Sequence, residues 1–195
     1  RDRVRLDETV ATLTASSPDP GQRHAALLCD VGTPGAGARI AKVCLEMFGR
    51  IDLLICSAGI GAAGRPNKLP APVKDLSLAE WQAVVDVNVH GLFGCCRAVL
   101  PEMTARGAGT ILVIGSSLTP TGMRGQPLAA AYSATKFAQA AFVESLAIEA
   151  EDDGIMVRIV YPGPVSTPLI NDTALAAISG KSMKPRDFAE STLEI

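Results

Sequence analysis

A phenol and an ammonium stand four residues apart in Tyr132-Ser-Ala-Thr-Lys136. On a helix, positions i and i+4 share one face, so the two groups lie within a few ångströms of each other. A phenol with its ordinary pKa near 10 is a poor base at neutral pH. A neighbouring cation favours the phenolate and makes the same group a usable acid and base. With two Tyr and six Lys among 195 residues the pair alone is weak, and its plain alternative is an ordinary surface Tyr and Lys. Its context strengthens it: an Ala-rich stretch begins directly after a loop, and Ser116 and Ser117 close the preceding apolar run. A hydroxyl at a strand end can hydrogen-bond a substrate oxygen, and Ser117 is the one assigned that role. Ser also favours strand ends for purely local reasons.

Three further constellations bear on the same chemistry. Asn88, in Val87-Asn-Val-His-Gly91, is a polar residue on an otherwise apolar helical stretch. It is either a satisfied buried amide or an amide that holds a water or a side chain in a crevice. His90 is read as structural. Tyr161-Pro-Gly-Pro-Val-Ser-Thr167 forms a rigid turn after an apolar run, where the backbone at Pro162 and Gly163 can approach a planar ligand and Thr167 can supply a hydroxyl. Gly59-Ile-Gly61-Ala-Ala-Gly64 matches the literal dinucleotide pattern. It is rejected as the pyrophosphate turn, because the prolines in residues 65–72 cannot propagate the helix that such a turn must open. No Ser has G-x-S-x-G flanks, and His24 and His90 are the only histidines, so a hydrolase triad is a distant alternative.

The elements that must position these groups alternate. Leu6, Val10 and Leu13 mark an amphipathic helix over residues 1–13, and Ser, Pro, Asp and Gly in residues 16–21 break it. Residues 25–31 read as a short buried strand. Ile40, Val43, Cys44 and Met47 form the apolar face of a second helix that Gly49 ends, and a strand follows over 51–56. Ser77-Leu-Ala-Glu80 is a capping box opening a long helix to about residue 103, with Trp81, Val84, Val85 and Val89 on its apolar face. Residues 110–114 are a buried strand, 130–150 a small-residue helix, 155–161 another strand, and 184–194 the opening turns of a last helix. Strand–helix alternation predicts an α/β fold with an open, doubly wound parallel sheet, whose ligands bind beyond the carboxyl ends of the strands.

Composition limits the partners. Eighteen Lys and Arg against twenty Asp and Glu give a formal charge of -2 and a pI near 5.7, which supplies no electrostatic footprint for nucleic acid or an anionic membrane. The longest uncharged run, between Arg106 and Arg124, is broken by Gly, Ser and Pro, so no membrane span is expected. Cys29, Cys44, Cys56, Cys95 and Cys96 sit in apolar runs without a C-x-x-C pair. This predicts reduced thiols in a cytoplasmic protein and no metal site. With 48% hydrophobic residues, the 195 residues suffice for one domain.

In their order along the chain these residues resemble the short-chain dehydrogenase/reductase family, from residue 1 to about residue 167 and more weakly to the end. The resemblance implies that Asp30, with Val31, contacts a cofactor adenine. Ser57-Ala58-Gly59 stands where the family has Asn-Ala-Gly beside the cofactor, with Ser replacing Asn. Asn88 to Gly91 match Asn-Val-x-Gly, Ser117 matches the catalytic Ser, and Tyr132 and Lys136 match Y-x-x-x-K. Pro162, Gly163, Val165 and Thr167 match Pro-Gly-x-Val-x-Thr, where Val165 and Thr167 hold the nicotinamide carboxamide. The implied Rossmann-like sheet has strand order 3-2-1-4-5-6-7, of which strands 3 to 6 are legible. The first strand, the Gly-rich phosphate turn, the next helix, the second strand and the last strand are expected to lie outside this sequence, in a domain of roughly 250 residues.

By this resemblance the expected activity is hydride transfer between NADP or NAD and a small, apolar alcohol or ketone. Tyr132 exchanges the substrate proton, Ser117 orients the substrate oxygen, and Lys136 depresses the Tyr pKa and contacts the cofactor ribose. Asn88 anchors a water that relays protons to Lys136. Arg1 stands where the family often faces the adenosine 2'-phosphate, which favours NADP. Leu118, Pro164, Leu169, Ile170 and Leu175 suggest an apolar substrate pocket, and the helices at 78–103 and 130–150 imply a homodimer or homotetramer. The alternative is a non-catalytic or truncated member acting as a binding or assembly module.

Overall fold

The computed structural model describes residues 2–61, 71–117, 125–166 and 182–193. They fall into two compact units, Arg1–Asp30 and Val31–Ile195. In the first, Asp2 caps helix α1 (Arg3–Ser16) by accepting the Arg5 N–H at 3.2 Å. A turn follows in which the Ser17 hydroxyl donates to the Asp19 carbonyl at 2.8 Å. The stripe expected on α1 buries no residue. Residues 25–31 do not form a strand, a correction to the sequence reading. A strand exists only where a neighbour takes up its backbone groups, and this segment has no strand partner among the described residues.

The second unit holds a three-stranded parallel sheet in the order β1 (Leu53–Cys56), β2 (Gly109–Ile114), β3 (Ile155–Val160). Leu53 pairs with Thr110 and Thr110 with Met156, which fixes the two faces. Parallel neighbours require crossovers, and the intervening helices supply them. Between β1 and β2 run α3 (Leu78–Val85), a π turn (Asp86–His90) and α4 (Gly91–Arg106); between β2 and β3 runs α5 (Ala130–Ala150). The face carrying Ile111, Val113 and Val157 is buried with Cys96, Val99 and Met103 of α4 and Val143 and Leu146 of α5. On the opposite face Leu53, Ile55 and Met156 are exposed, as befits a doubly wound sheet of which a part is present. By length and composition the 29-residue run Leu78–Arg106 could cross a membrane. Its apolar side chains are instead those of a core helix, with Val84, Leu92, Cys96, Val99 and Met103 buried.

The expected capping box is present: Ser77 accepts from the Glu80 N–H at 3.2 Å, and Glu80 accepts from the Ser77 N–H at 2.8 Å. The long helix is not uniform, however, because the π turn interrupts it at Asn88 and the Gly91 N–H reaches back to the Asp86 carbonyl. Helix α2 (Ala36–Phe48) ends at Gly49, whose φ of 82° lies in the left-handed region. It packs on α4 so closely that a Cβ at Gly37 would meet the Gly94 carbonyl. Met47, expected on its apolar face, is exposed. After β3, Val165 and Met183 form a single parallel bridge, and α6 (Pro185–Leu193) follows.

Candidate active site

The three strands end side by side at Cys56, Ile114 and Val160, and the backbone continues their pairing outward. The Gly115 N–H donates to the Val160 carbonyl at 2.8 Å and the Ser117 N–H to the Pro162 carbonyl at 2.9 Å. Gly115 is required there, since a Cβ would lie 2.9 Å from the Tyr161 ring. Helix α5 starts beside these ends, placing Tyr132 in its first turn and Lys136 one turn on.

Tyr132 and Lys136 are brought together as their spacing predicts. The Lys136 Nζ lies over the Tyr132 ring, 5.5 Å from its centroid. Burial pushes the Tyr132 phenol above its ordinary value of 10, and a hydrogen bond from the Ser116 hydroxyl, which favours the phenolate, opposes that push. The adjacent Ser117 is half-buried and donates its backbone N–H to the Pro162 carbonyl. Burial also lowers the Lys136 pKa to about 8. Its Nζ donates to the Ile114 carbonyl at 3.0 Å and to Gln139 Oε1 at 2.9 Å. The lysine thus lies over the ring face, tethered to the strand end.

Asn88 is fully buried, and its side chain ties two elements together. Oδ1 accepts the Ile60 N–H at 2.9 Å, and Nδ2 donates to the Ile60 carbonyl and to Thr135 Oγ1, both at 3.0 Å. It is the satisfied amide of the plainer reading, and it clamps the loop after β1 to α5. Its own carbonyl accepts from Gln139 Nε2 at 2.6 Å. Sequence reasoning passed over Thr135 and Gln139, yet a signal was available. Tyr132, Thr135, Lys136 and Gln139 fall at i, i+3, i+4 and i+7, a polar stripe along one face of an Ala-rich helix.

The cofactor residues expected from the resemblance divide by place. Gly59 lies against Asn88, its position for a Cβ 3.5 Å from Oδ1, while Ser57 and Ala58 are exposed beside it. Pro162, Gly163 and Val165 lie on the loop after β3, and at Gly163 a Cβ would meet nothing within 4 Å. The Val31 carbonyl packs 3.1 Å from the Cβ position of Gly91. Asp30 belongs to the N-terminal unit. Arg1, Thr167, the pocket residues Leu118, Leu169, Ile170 and Leu175, and most of the rejected glycine pattern lie outside the described residues.

Comparison with known proteins bears on the family and the fold. Residues 1–176 match the family described as short chain dehydrogenase. The chain is 34% identical over 159 residues to a 2-dehydro-3-deoxy-L-rhamnonate dehydrogenase (NAD(+)) of Sphingomonas sp., covering 82% of this chain and 60% of that one. It is similar to a solved 3-ketoacyl-(acyl-carrier-protein) reductase from Brucella melitensis complexed with NADH, at 25% identity and a TM-score of 0.83, covering 98% of this chain and 76% of the other. A gluconate 5-dehydrogenase from Burkholderia cenocepacia in complex with NADP and tartrate is 29% identical with a TM-score of 0.71, over 86% of this chain and 62% of the other. This chain thus spans 60% of the length of the first of these relatives. Its α/β fold is Rossmann-like, its sheet is part of the family's, and the chain belongs to the short-chain dehydrogenase family.

Proposed function

We propose that the protein to which these residues belong is a nicotinamide-dependent dehydrogenase or reductase. It interconverts an alcohol and a carbonyl compound of small size, with Tyr132 as general acid and base. The observation that carries this reading is the buried Tyr132 phenol, hydrogen-bonded by Ser116 and faced by the Lys136 ammonium 5.5 Å from its ring centroid. A phenol held above pKa 10 keeps its proton at neutral pH, so Tyr132 is ready to donate to a carbonyl oxygen. In the reverse direction the phenolate accepts the alcohol proton, and the Ser116 hydroxyl steadies the charge that forms.

The residues present fit the nicotinamide end of such a cofactor. Gly59 is small, and among the described residues nothing lies within 4 Å of a Cβ position at Gly163, which favours close approach of a flat ring to the backbone. Pro162, Gly163 and Val165 would hold it from the β3 side, and the Ser57, Ala58 and Gly59 loop from the β1 side. The bound cofactor supplies or accepts the hydride. The printed names of the relatives include NAD(+), NADH and NADP. The preference for NADP in this chain rests on Arg1 and is tested by comparing the Kd values of NADPH and NADH. The substrate is read as apolar on Leu118, Pro164, Leu169, Ile170 and Leu175, and the protein as cytoplasmic on its five cysteines in apolar runs. Exposed Phe93 and Ile148 on α4 and α5 support pairing of subunits, which light scattering on the intact protein would measure.

The decisive experiment is Tyr132→Phe. Turnover across a ketone and alcohol panel should vanish nearly completely, while the Kd for NAD(P)H stays within about threefold of wild type. Retained turnover would sink the assignment.

A further inference from the structure

Gln139 is a buried amide on the polar stripe of α5, and it stands 3% exposed. Burying an amide without partners costs several kcal/mol by transfer measures, so each of its ends must be bonded. Here both are. Nε2 donates to the Asn88 carbonyl at 2.6 Å and Oε1 accepts from the Lys136 Nζ at 2.9 Å. The chemistry of the partners fixes the orientation of the amide, because an ammonium can only donate and a carbonyl can only accept. The Asn88 carbonyl belongs to the π turn, where the helical ladder shifts from i+4 to i+5. A single side chain therefore bridges the interrupted helix to the lysine that faces the phenol.

We propose that Gln139 is the positioning residue of the Tyr132–Lys136 pair, tying the lysine to the Asn88 carbonyl by a fixed amide in the place that the family resemblance gives to a water. This inference rests on the acid–base reading of Tyr132 and Lys136 given above. An amide that accepts at one end and donates at the other does not turn over as water does. The link holds Lys136 in place without conducting a proton toward Asn88. Together with the Ile114 carbonyl at 3.0 Å, it sets where the ammonium sits beneath the Tyr132 ring.

The surroundings leave this role to neutral groups. On the elements packed against α5, Glu80 is engaged in the capping box, Asp86 and His90 pair with each other at 3.0 Å, and Arg158 donates to the Val157 carbonyl. Among the described residues the Tyr132 phenol is the titratable group facing Lys136. An anion placed at position 139 would then act directly on the lysine.

Gln139→Glu and Gln139→Leu test the proposal in the intact protein. Glu keeps the shape and the lysine contact but cannot donate to Asn88 while ionised; Leu keeps the volume and loses both bonds. The first readout is the pH midpoint of the Lys136 ε-carbon resonance in protein labelled with ε-13C lysine, assigned by its absence from Lys136→Met. In Gln139→Glu this midpoint should rise by about one pH unit or more. The matching limb of the kcat/KM profile for NAD(P)H-dependent ketone reduction should move with it. In Gln139→Leu, kcat should fall about tenfold or more while the cofactor Kd changes less than about threefold. A midpoint in Gln139→Glu within about 0.3 pH unit of wild type would overturn the proposal, whatever the turnover. If Gln139→Leu fails to fold, Gln139→Glu alone decides. If wild-type protein turns over no substrate, the acid–base reading fails by itself, and the lysine resonance still reports whether Gln139 holds Lys136.

Discussion

The Ser116 hydroxyl is hydrogen-bonded to the Tyr132 phenol, and that bond favours the phenolate. Adjacent residues at the end of a strand point to opposite sides, so a difference of one position decides which hydroxyl faces the site.

Substituting the two serines separately follows from this. Ser116→Ala should lower kcat/KM by roughly a hundredfold, the size seen when one donor to a developing oxyanion is removed, and should raise the apparent pKa of Tyr132 further. Ser117→Ala should change kcat/KM less than about threefold. Steady-state kinetics on both variants check it, and the opposite ranking would return the role to Ser117.

Lys136 makes stability depend on pH. The unfolded chain holds the lysine proton up to its ordinary value of 10.5, and the folded protein gives it up at about 8. Between those values the unfolded state binds more protons, so this group's contribution to stability rises with pH, by up to about 1.4 kcal/mol per pH unit. Below pH 8 the cost of burying the ammonium is felt in full. Tyr132 and Cys56 act in the opposite sense, since burial and, for Cys56, the neighbouring Cys96 thiol raise their folded values, and stability is lost as pH climbs past their unfolded ones. The lysine is isolated by difference. The gap in urea-unfolding free energy between wild type and Lys136→Met should shift in favour of wild type from pH 7.5 to 9.5 by about 2 kcal/mol. A gap independent of pH would show that the lysine is not desolvated.

Asn88 holds three partners with its side chain while fully buried. Asn88→Ala leaves the Ile60 backbone groups and Thr135 without those bonds and should destabilise the fold by about 2–4 kcal/mol. Hydrogen exchange should show the Ile60 amide losing protection before the β2 amides do. Equal protection in wild type and variant would mean that the loop after β1 is held by other contacts.

Gly37 has no room for a methyl group against the Gly94 carbonyl. Gly37→Ala should separate α2 from α4 at a cost of about 1–3 kcal/mol, read as a lower urea midpoint. Gly35→Ala, two residues earlier at a φ of 78° with no described atom within 4 Å of its Cβ position, tests backbone strain alone at the same helix end.

Local chemistry made much of this protein legible from its residues. The Tyr132–Lys136 pair, the Ser77–Glu80 cap, the Gly49 helix stop and the strands at 53–56, 109–114 and 155–160 all follow from spacing or propensity within one element, where a residue's neighbours are its sequence neighbours. Residues 25–31 show the limit: their apolar run reads as a strand, but a strand is a relation between two segments, and pairing is a property of the assembled sheet. The hydrogen bond from Ser116 to Tyr132 joins the end of β2 to α5, a meeting that no spacing along the chain specifies. The π turn at Asn88 and the Gln139 bridge depended on helices separated by roughly fifty residues coming together. Spacing along the chain specifies which groups share a helix face. Which of them meet, and through which bonds, was decided by packing across elements, because burial forces every amide, hydroxyl and ammonium to find a partner wherever the fold supplies one.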